Sequence, residues 1–266
     1  MILWLGDPRA TDPALAGGKA AVLSRLASCH PVPRGFVVAG ELTDAEVLDA
    51  YRLLGEPSVA VRSSAVDEDG LDHSFAGIHE TFLNVTCGEA VVKAIRRCRE
   101  TGRSERALDY RRTRGLAAEA DVAVLVQELV HADISAVAFT ANPITGSHDE
   151  VVVNAHYGLG EALVGGLATP DQVVLSKHDL KVISYSVGSK EAMTVITSSG
   201  TRELPVPALM RNRRAVSDEQ AAEIARLALA LEEEAGRPVD VECCYREGQL
   251  YLLQSRPVTT IQKGVQ

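Results

Sequence analysis

Residues 239–257 read VDVECCYREGQLYLLQSRP and contain two strand-like runs with a turn-like junction between them. The runs 239–245 and 249–255 are rich in residues that favour strands. Gly248 can adopt the positive φ that a tight turn requires. The stretch therefore predicts a β-hairpin whose loop is centred on Gly248.

Polar side chains recur at alternate positions of both predicted strands. Side chains two residues apart share a face, which places Asp240 beside Glu242 and Gln254 beside Arg256. A loop centred on Gly248 sets Glu242 opposite Gln254. The same loop sets Asp240 opposite Arg256, whereas a shift of one residue would put the two pairs on opposite faces.

These four side chains form a candidate metal and phosphate site. Carboxylate and amide oxygens are hard ligands suited to Mg²⁺, and the guanidinium of Arg256 could hold phosphate oxygens while balancing the acids. The alternative is an exposed strand face with cross-strand salt bridges.

The composition of the chain is that of a soluble globular protein. Its 266 residues are 46% hydrophobic and 24% charged, with a formal net charge of −9. The negative charge opposes nonspecific binding to nucleic acid. Apolar runs fall short of the roughly 18 to 20 residues of a membrane span, and five cysteines without C-x-x-C spacing fit a reducing compartment. We expect a cytoplasmic protein that binds neither nucleic acid nor a membrane.

Strand-like runs alternate with helical patterns along the chain. Thr43 and Ser217 each begin a capping box, which predicts a helix after each of them. The runs 121–130 and 134–140 are rich in Val, Ile and Ala and are expected to be neighbouring buried strands joined by residues 131–133. The mixture favours a fold built from both α-helices and β-strands.

Three segments of the N-terminal half are candidates for contacts with phosphate or a base. The tripeptide 17–19, Gly-Gly-Lys, offers a flexible turn before a helix, without the spacing of a P-loop. Arg62 ends a predicted strand and is followed by the acidic residues 67–69 and by residues 74–77, Ser-Phe-Ala-Gly. The small residues and Gly77 would let backbone amides approach phosphate, with Thr81 as a further donor. Gln127 ends a Val-rich strand and could bond a base edge. An ordinary turn and a flexible acidic surface loop are the alternatives for the first two segments.

In this order, the motifs resemble the ATP-binding domain shared by phosphoenolpyruvate synthase, pyruvate phosphate dikinase and rifampin phosphotransferase. The resemblance covers nearly the whole chain and rests on residues 17–20, 32–36, 59–64, 74–77, 80–85, 127, 139–143, 158–162, 169–171, 240–242 and 253–257. It implies an α+β ATP-grasp fold, in which two lobes enclose a nucleotide cleft. A single domain is then expected over residues 1–260, with lobe 1 at about 1–120, lobe 2 at about 121–260 and a tail at 261–266.

The resemblance implies that the N-terminal half contacts the nucleotide at several points. Lys19 and Arg62 would hold phosphates, and Arg62 would also be catalytic. Gly77 and Thr81 would belong to a lid over the triphosphate, and Gln127 would lie at the adenine end of ATP.

The resemblance implies that the C-terminal hairpin serves both metal and nucleotide. Glu242 and Gln254 would bind Mg²⁺, and both would also contact the nucleotide. Arg256 would steady the γ-phosphate side, and Glu242 and Arg256 would be catalytic together with Arg62.

In the family, ATP phosphorylates a histidine on a swivelling domain, AMP is eventually released, and the phosphoryl group passes to an acceptor in a third domain. The sequence stops just after residues 254–257 and contains no counterpart of the swivelling domain or of the acceptor barrel. The resemblance thus implies an ATP-dependent phosphotransferase component of a split dikinase-like system. Its partners would be a separate swivelling-domain protein, an acceptor-binding protein and a small-molecule acceptor. The alternatives are a stand-alone ATP-grasp kinase or ligase acting on a small molecule, and a noncatalytic nucleotide-binding regulatory module.

The chain departs from the family pattern at two places. It is shorter between Gly40 and Val59, where the family has a longer helical insertion. Residues 240–243 read Asp-Val-Glu-Cys where the family usually has Asp-Ile-Glu-Trp, so we expect altered packing beneath the nucleotide.

Overall fold

The computed structural model describes residues 1–65, 81–102, 122–164, 169–198 and 200–258. The chain divides into two compact units, Met1–Leu129 and a second one that begins at Val130. Each unit combines an antiparallel sheet with helices, so the predicted α+β class is confirmed. The predicted lobe boundary at about residue 120 falls before the last strand of the first sheet, whereas the units divide after Leu129.

The described residues of the first unit form a five-stranded antiparallel sheet. Its strands are β1 (Ile2–Trp4), β2 (Gly35–Val38), β3 (Val59–Ser64), β4 (Thr81–Val85) and β5 (Ala123–Glu128), in the order β1-β2-β5-β3-β4. Its helices are α1 (Pro13–Leu26), α2 (Asp44–Leu54) and α3 (Gly88–Gly102), with a 3-10 turn at Pro8–Thr11. The two helices α2 and α3 pack on one side of the sheet around a core that includes Phe36, Tyr51, Ile95 and Val126.

The second unit is built on a six-stranded antiparallel sheet, counted over the described residues. Its strands are β6 (Ile134–Phe139), β7 (Glu150–Tyr157), β8 (Asp171–Ser176), β9 (Val182–Ser186), β12 (Val239–Arg246) and β13 (Gln249–Pro257), in the order β13-β12-β6-β7-β8-β9. The strands β10 (Ala192–Thr197) and β11 (Gly200–Pro205) form a separate hairpin. The helices are α4 (Glu161–Val164), α5 (Ala208–Arg211) and α6 (Asp218–Ala235).

Both predicted capping boxes are confirmed. The side chain of Thr43 accepts a hydrogen bond from the backbone of Glu46 at the start of α2, and Ser217 accepts one from Gln220 at the start of α6. Each side chain satisfies an amide that would otherwise have no partner within its helix. Glycines with positive φ follow the last residue of both helices.

The predicted pairing of the runs 121–130 and 134–140 is wrong. The strand β5 lies between β2 and β3 in the first sheet, whereas β6 lies between β12 and β7 in the second. Hydrophobic runs indicate burial but do not identify the partner strand. The link between the two runs forms no hairpin, because Leu129 donates its amide to the carbonyl of Ser58, and Asp133 donates to that of Tyr245.

The two faces of the second sheet have different neighbours. The hydroxyl of Tyr245 on β12 donates to the carboxylate of Glu223 in α6 at 2.6 Å, so α6 covers the face that carries Tyr245 and Cys243. Asp240 and Glu242 alternate with these residues and lie on the opposite face, which we call the Glu242 face. The alternation therefore separates Asp240 and Glu242 from the face that α6 covers.

A buried ion pair joins Asp171 at the start of β8 to Lys190 in the link between β9 and β10. Asp171 accepts a hydrogen bond from Lys190, and both side chains are fully buried. The same carboxylate accepts from the hydroxyl of Tyr185 and the amide of Gly188, each at 2.9 Å, and from the amide of Ala215 at 2.6 Å. Asp171 is thus satisfied from four directions, as a buried carboxylate must be.

Candidate functional site

The register of the C-terminal hairpin brings the predicted polar pairs together. Asp240 lies directly opposite Arg256, and Glu242 directly opposite Gln254. The pairing predicted from the sequence is therefore confirmed. All four residues lie on the Glu242 face, because directly opposed residues in a sheet share a face.

The turn itself differs from the predicted one. It consists of two residues, Glu247 and Gly248, with φ values of 52° and 79°. The pair Arg246 and Gln249 therefore closes the hairpin, so the turn is not centred on Gly248. Two successive residues with positive φ match the twist of the strands that they join.

A β-bulge corrects the register between this turn and the site. The register shifts by one residue after Glu242, which leaves Leu253 as an extra residue in β13. If the register set by the turn continued, Leu253 would lie opposite Glu242. The polar residues Gln254 and Arg256 would then face α6, because a shift of one residue reverses every side chain. The bulge is thus what places them on the Glu242 face.

The carboxylate of Asp240 forms an ion pair with the guanidinium of Arg256. The Nε of Arg256 donates to Oδ2 of Asp240 at 2.7 Å. The Asp240 side chain is 10% exposed and that of Arg256 is 34% exposed. Burial raises the pKa of Asp240, and the charge and hydrogen bond of Arg256 oppose that rise. The other carboxylate oxygen, Oδ1, is buried without a hydrogen-bond partner in the described part of the chain.

The residues of the hairpin fit a magnesium ion by the chemistry of their donors. Gln254 is 4% exposed and lies beside the half-buried Glu242, and the buried Oδ1 of Asp240 is a third oxygen on the same face. Within the described residues, no three His, Cys, Asp or Glu side chains cluster into a metal site. Mg²⁺ is usually bound through one or two carboxylates together with water and substrate phosphates, so this oxygen set is sufficient.

Two amide side chains on the Glu242 face were not found by sequence reasoning. Glu242 lies opposite Val137, which lies opposite Asn154, which in turn lies opposite Gln172. The Nε2 of Gln172 donates to Oδ1 of Asn154 at 3.4 Å. The strand pattern could have placed each residue on a face, but only the register across four strands shows that they share one row with Glu242.

In the first unit, the segment that carries Lys19 packs against the end of the strand that carries Arg62. Gly17 has φ +76° and forms a kink inside α1, and a Cβ atom there would lie 1.7 Å from the carbonyl oxygen of Ser64. The amide of the next residue donates to Ala65 at 2.9 Å. The segment is therefore a fixed kink within a helix, not the flexible turn that we predicted before one.

The structure pairs Arg62 with another predicted site residue. Arg62 on β3 lies directly opposite Thr81 on β4, so the two residues share a face of the first sheet. Arg62 is half-buried and Thr81 is exposed. The sequence did not predict this pairing, because residues 65–80 lie between the two strands. Gly77 lies outside the described residues.

Gln127 is 2% exposed and lies on β5 opposite Gly35 and Ala60. Its Nε2 donates to the carbonyl of Pro33 at 3.1 Å. The protein itself therefore orients this amide. A contact between Gln127 and a base stays a prediction.

The Cys243 side chain, which stands where the family usually has tryptophan, is 1% exposed. It lies on the face that α6 covers, whereas its neighbour Glu242 lies on the other face of the sheet. Burial raises the pKa of the Cys243 thiol. Altered packing beneath the nucleotide stays a prediction.

Comparison with known proteins gives matches over most of the chain. The family profile described as pyruvate phosphate dikinase, AMP/ATP-binding domain, matches residues 41–266. A probable phosphoenolpyruvate synthase of Methanocaldococcus jannaschii is 33% identical over 99% of this chain and 27% of its own length. One of Archaeoglobus fulgidus is 34% identical over 98% of this chain and 42% of its own length. The rifampicin phosphotransferase of Streptomyces sviceus is 37% identical over 84% of this chain and 25% of its own length.

The chain spans less than half the length of each of these relatives. Among solved structures, the dinucleotide-forming acetyl-coenzyme A synthetase 1 of Ca. Korarchaeum cryptofilum matches with a TM-score of 0.49 and 13% identity, over 89% of this chain and 90% of that one. In the described part of the chain, every helix is too short or too polar to span a bilayer.

Proposed function

Since the chain belongs to the pyruvate phosphate dikinase AMP/ATP-binding domain family, as its motifs predict, we propose that it is the ATP-cleaving component of a dikinase-like phosphotransferase. It would phosphorylate a histidine of a separate swivelling-domain protein, which passes the phosphoryl group to a small molecule held by an acceptor-binding protein. The cytoplasmic location expected from the composition is part of this proposal.

The observation that supports the proposal most directly is the pairing of Glu242 with Gln254 beside that of Asp240 with Arg256. The first pair supplies a carboxylate and an amide oxygen for Mg²⁺. The guanidinium of Arg256 is held beside them and would contact a phosphate oxygen. A bound Mg²⁺ would neutralise negative charge on the phosphates.

The chain would act mainly by positioning and by charge neutralisation. Lys19 and Arg62 in the first unit would add two cationic contacts to phosphate, and Thr81, which lies opposite Arg62, would add a hydroxyl donor. We propose that both units bind the same triphosphate and close over it, as in an ATP-grasp fold. Gly77 in the lid and Gln127 at the adenine end complete the proposed nucleotide contacts.

The phosphoryl acceptor would be an imidazole nitrogen of the partner protein. Attack by its lone pair on the β-phosphorus of ATP forms a P–N bond, and the P–O bond to AMP breaks with its electrons going to the AMP oxygen, while the imidazole proton passes to solvent. The histidine then carries two phosphoryl groups, and attack of water or inorganic phosphate on the terminal one releases orthophosphate or pyrophosphate and leaves phosphohistidine. The relatives are two to four times as long as the matched region, so we propose that they carry these further functions on the same chain.

Product analysis with Mg²⁺ and ATP tests the proposal, with the chain alone and with candidate swivelling-domain proteins. AMP together with a phosphorylated histidine on the partner, found by mass spectrometry, is the expected result. ADP would instead favour a stand-alone kinase or ligase. ATP binding without cleavage in the presence of every partner would favour a regulatory module.

The variant Glu242→Gln tests whether the hairpin carries the chemistry. We expect it to remain folded and to lose Mg²⁺-dependent ATP cleavage by at least about 100-fold, because the Mg²⁺ that would neutralise the phosphates loses a carboxylate ligand. The matched control is Glu203→Gln, since Glu203 is exposed on β11 and outside the site. Undiminished turnover by Glu242→Gln would refute the assigned role.

A further inference from the structure

The specific roles assigned at the hairpin site fall on Glu242, Gln254 and Arg256, and Asp240 is the remaining residue of the four. Asp240 is on β12, where it lies opposite Phe139 of β6 on one side and opposite Arg256 of β13 on the other. The phenyl ring of Phe139 has no hydrogen-bond donor. The charge of this buried carboxylate is therefore balanced from the β13 side, by Arg256.

The hydrogen bond between Asp240 and Arg256 restricts the orientation of the Arg256 guanidinium. The bond is made through Nε, the nitrogen nearest to the flexible part of the side chain. A bond at this nitrogen fixes the plane of the guanidinium and the direction of its two terminal nitrogens. Arg256 is also more exposed than Asp240, so part of its guanidinium is accessible to a ligand.

We propose that Asp240 is a positioning residue, whose carboxylate holds the Arg256 guanidinium in the orientation in which it contacts phosphate. The catalytic consequence of this role rests on the proposed function, whereas the contact between Asp240 and Arg256 is present without nucleotide. Asp240 acts on the reaction through Arg256 and does not touch the substrate.

A competing role for Asp240 is that of a third metal ligand. Its Oδ1 is buried without a partner in the described residues and lies on the same face as Glu242. The two roles predict different behaviour. A positioning residue has no effect once Arg256 is gone, whereas a metal ligand still changes the dependence on Mg²⁺.

A double-mutant cycle separates the two roles. We expect Asp240→Ala to lower kcat for ATP cleavage by about 10- to 100-fold, with less than about threefold change in KM for ATP, because a misplaced group costs rate. In the Arg256→Ala background, the same substitution should lower kcat by less than about twofold. Full additivity of the two substitutions would overturn the proposal. So would a rise in the half-saturating Mg²⁺ concentration caused by Asp240→Ala in that background.

Two further variants distinguish a loss of positioning from a loss of stability. Asp240→Asn preserves size and should show a smaller loss of kcat in the same direction. The control is Glu232→Gln, which breaks the similarly buried pair between Lys177 and Glu232, whose atoms are 2.6 Å apart and whose side chains are about one-fifth exposed. It should lower the free energy of unfolding while kcat stays within about twofold of the wild type.

A spectroscopic measurement tests the contact without any catalysis. The ¹⁵Nε–¹Hε resonance of Arg256, assigned by its loss in Arg256→Lys, should exchange slowly with water in the nucleotide-free chain. It should broaden or disappear in Asp240→Ala and persist in Glu232→Gln. An unchanged resonance in Asp240→Ala would overturn the proposal. If the wild type cleaved no ATP with any partner, the proposed function would fail, and this measurement would still decide whether Asp240 holds Arg256.

Discussion

Gly17 allows a sharp test of how the first unit is assembled around Lys19. Replacement by alanine combines two costs. The residue has φ 76° and ψ 167°, a backbone conformation essentially restricted to glycine that costs another residue about 1 to 3 kcal/mol. The added Cβ would also lie 1.7 Å from the carbonyl oxygen of Ser64, so the backbone of α1 or β3 must move.

The second cost follows from the hydrogen bonds that such a movement breaks. The amide of Gly18 donates to Ala65 at 2.9 Å, and the amide of Ala20 donates to Oγ of Ser64 at 3.1 Å. Each bond contributes about 0.5 to 1.5 kcal/mol. Gly17→Ala should therefore lower the free energy of unfolding by about 2 to 6 kcal/mol.

The matched control is Gly40→Ala. Gly40 has φ +65°, and an added Cβ there would meet no atom within 4 Å. It carries the conformational cost alone, about 1 to 2 kcal/mol. Urea unfolding of both variants measures the difference, which we expect to be about 1 to 3 kcal/mol.

The same pair of variants reports on nucleotide binding. Displacement of α1 from β3 moves Lys19 relative to Arg62, so Gly17→Ala should raise the Kd for Mg²⁺-ATP by about tenfold, equivalent to about 1.4 kcal/mol. Gly40→Ala should leave this Kd within about twofold. Equal stability and equal affinity of the two variants would refute the packing argument.

Three further predictions concern the second unit, each measured by urea unfolding. Lys190→Met should lower the free energy of unfolding by about 3 to 5 kcal/mol, since it leaves the buried carboxylate of Asp171 without its cation, and a loss under 1 kcal/mol would contradict this account. His156 is fully buried and burial lowers its pKa, so its imidazole is neutral in the folded chain but gains a proton below about pH 6.5 when unfolded. Its contribution to stability should therefore be lost as the pH falls below about 6.5, with a slope of up to about 1.4 kcal/mol per pH unit, and His156→Asn should flatten that slope. Tyr245→Phe should cost about 1 to 2 kcal/mol through its lost bond to Glu223 and should leave ATP cleavage unchanged, because Tyr245 faces α6; a loss of cleavage would refute the separation of the two faces.

Local patterns in the sequence predicted the parts of the structure that local physics determines. The capping boxes at Thr43 and Ser217 depend on groups three residues apart, and both helices begin where predicted. The alternation of Asp240 and Glu242 on one strand needs only the period of two that every strand has. The resemblance to a known family, carried by ordered motifs, identified the residues that the hairpin then brought together.

Features that depend on distant partners could not be predicted in the same way. The strand β5 was assigned the wrong neighbour, because a Val-rich run is equally suited to the centre of either sheet. The pairing of Arg62 with Thr81 depends on the register between two strands that residues 65–80 separate in the sequence. The need for glycine at position 17 is visible only when the carbonyl of Ser64 is in place.

The extra residue at Leu253 has an evolutionary consequence for the hairpin. Loss of one residue between Gln249 and Gln254 would remove the bulge and still leave Gln254 opposite Glu242, because the regular register from the turn would then reach it. A one-residue gap in an alignment of this segment is therefore compatible with retained chemistry, whereas a gap of two residues would turn Gln254 and Arg256 toward α6.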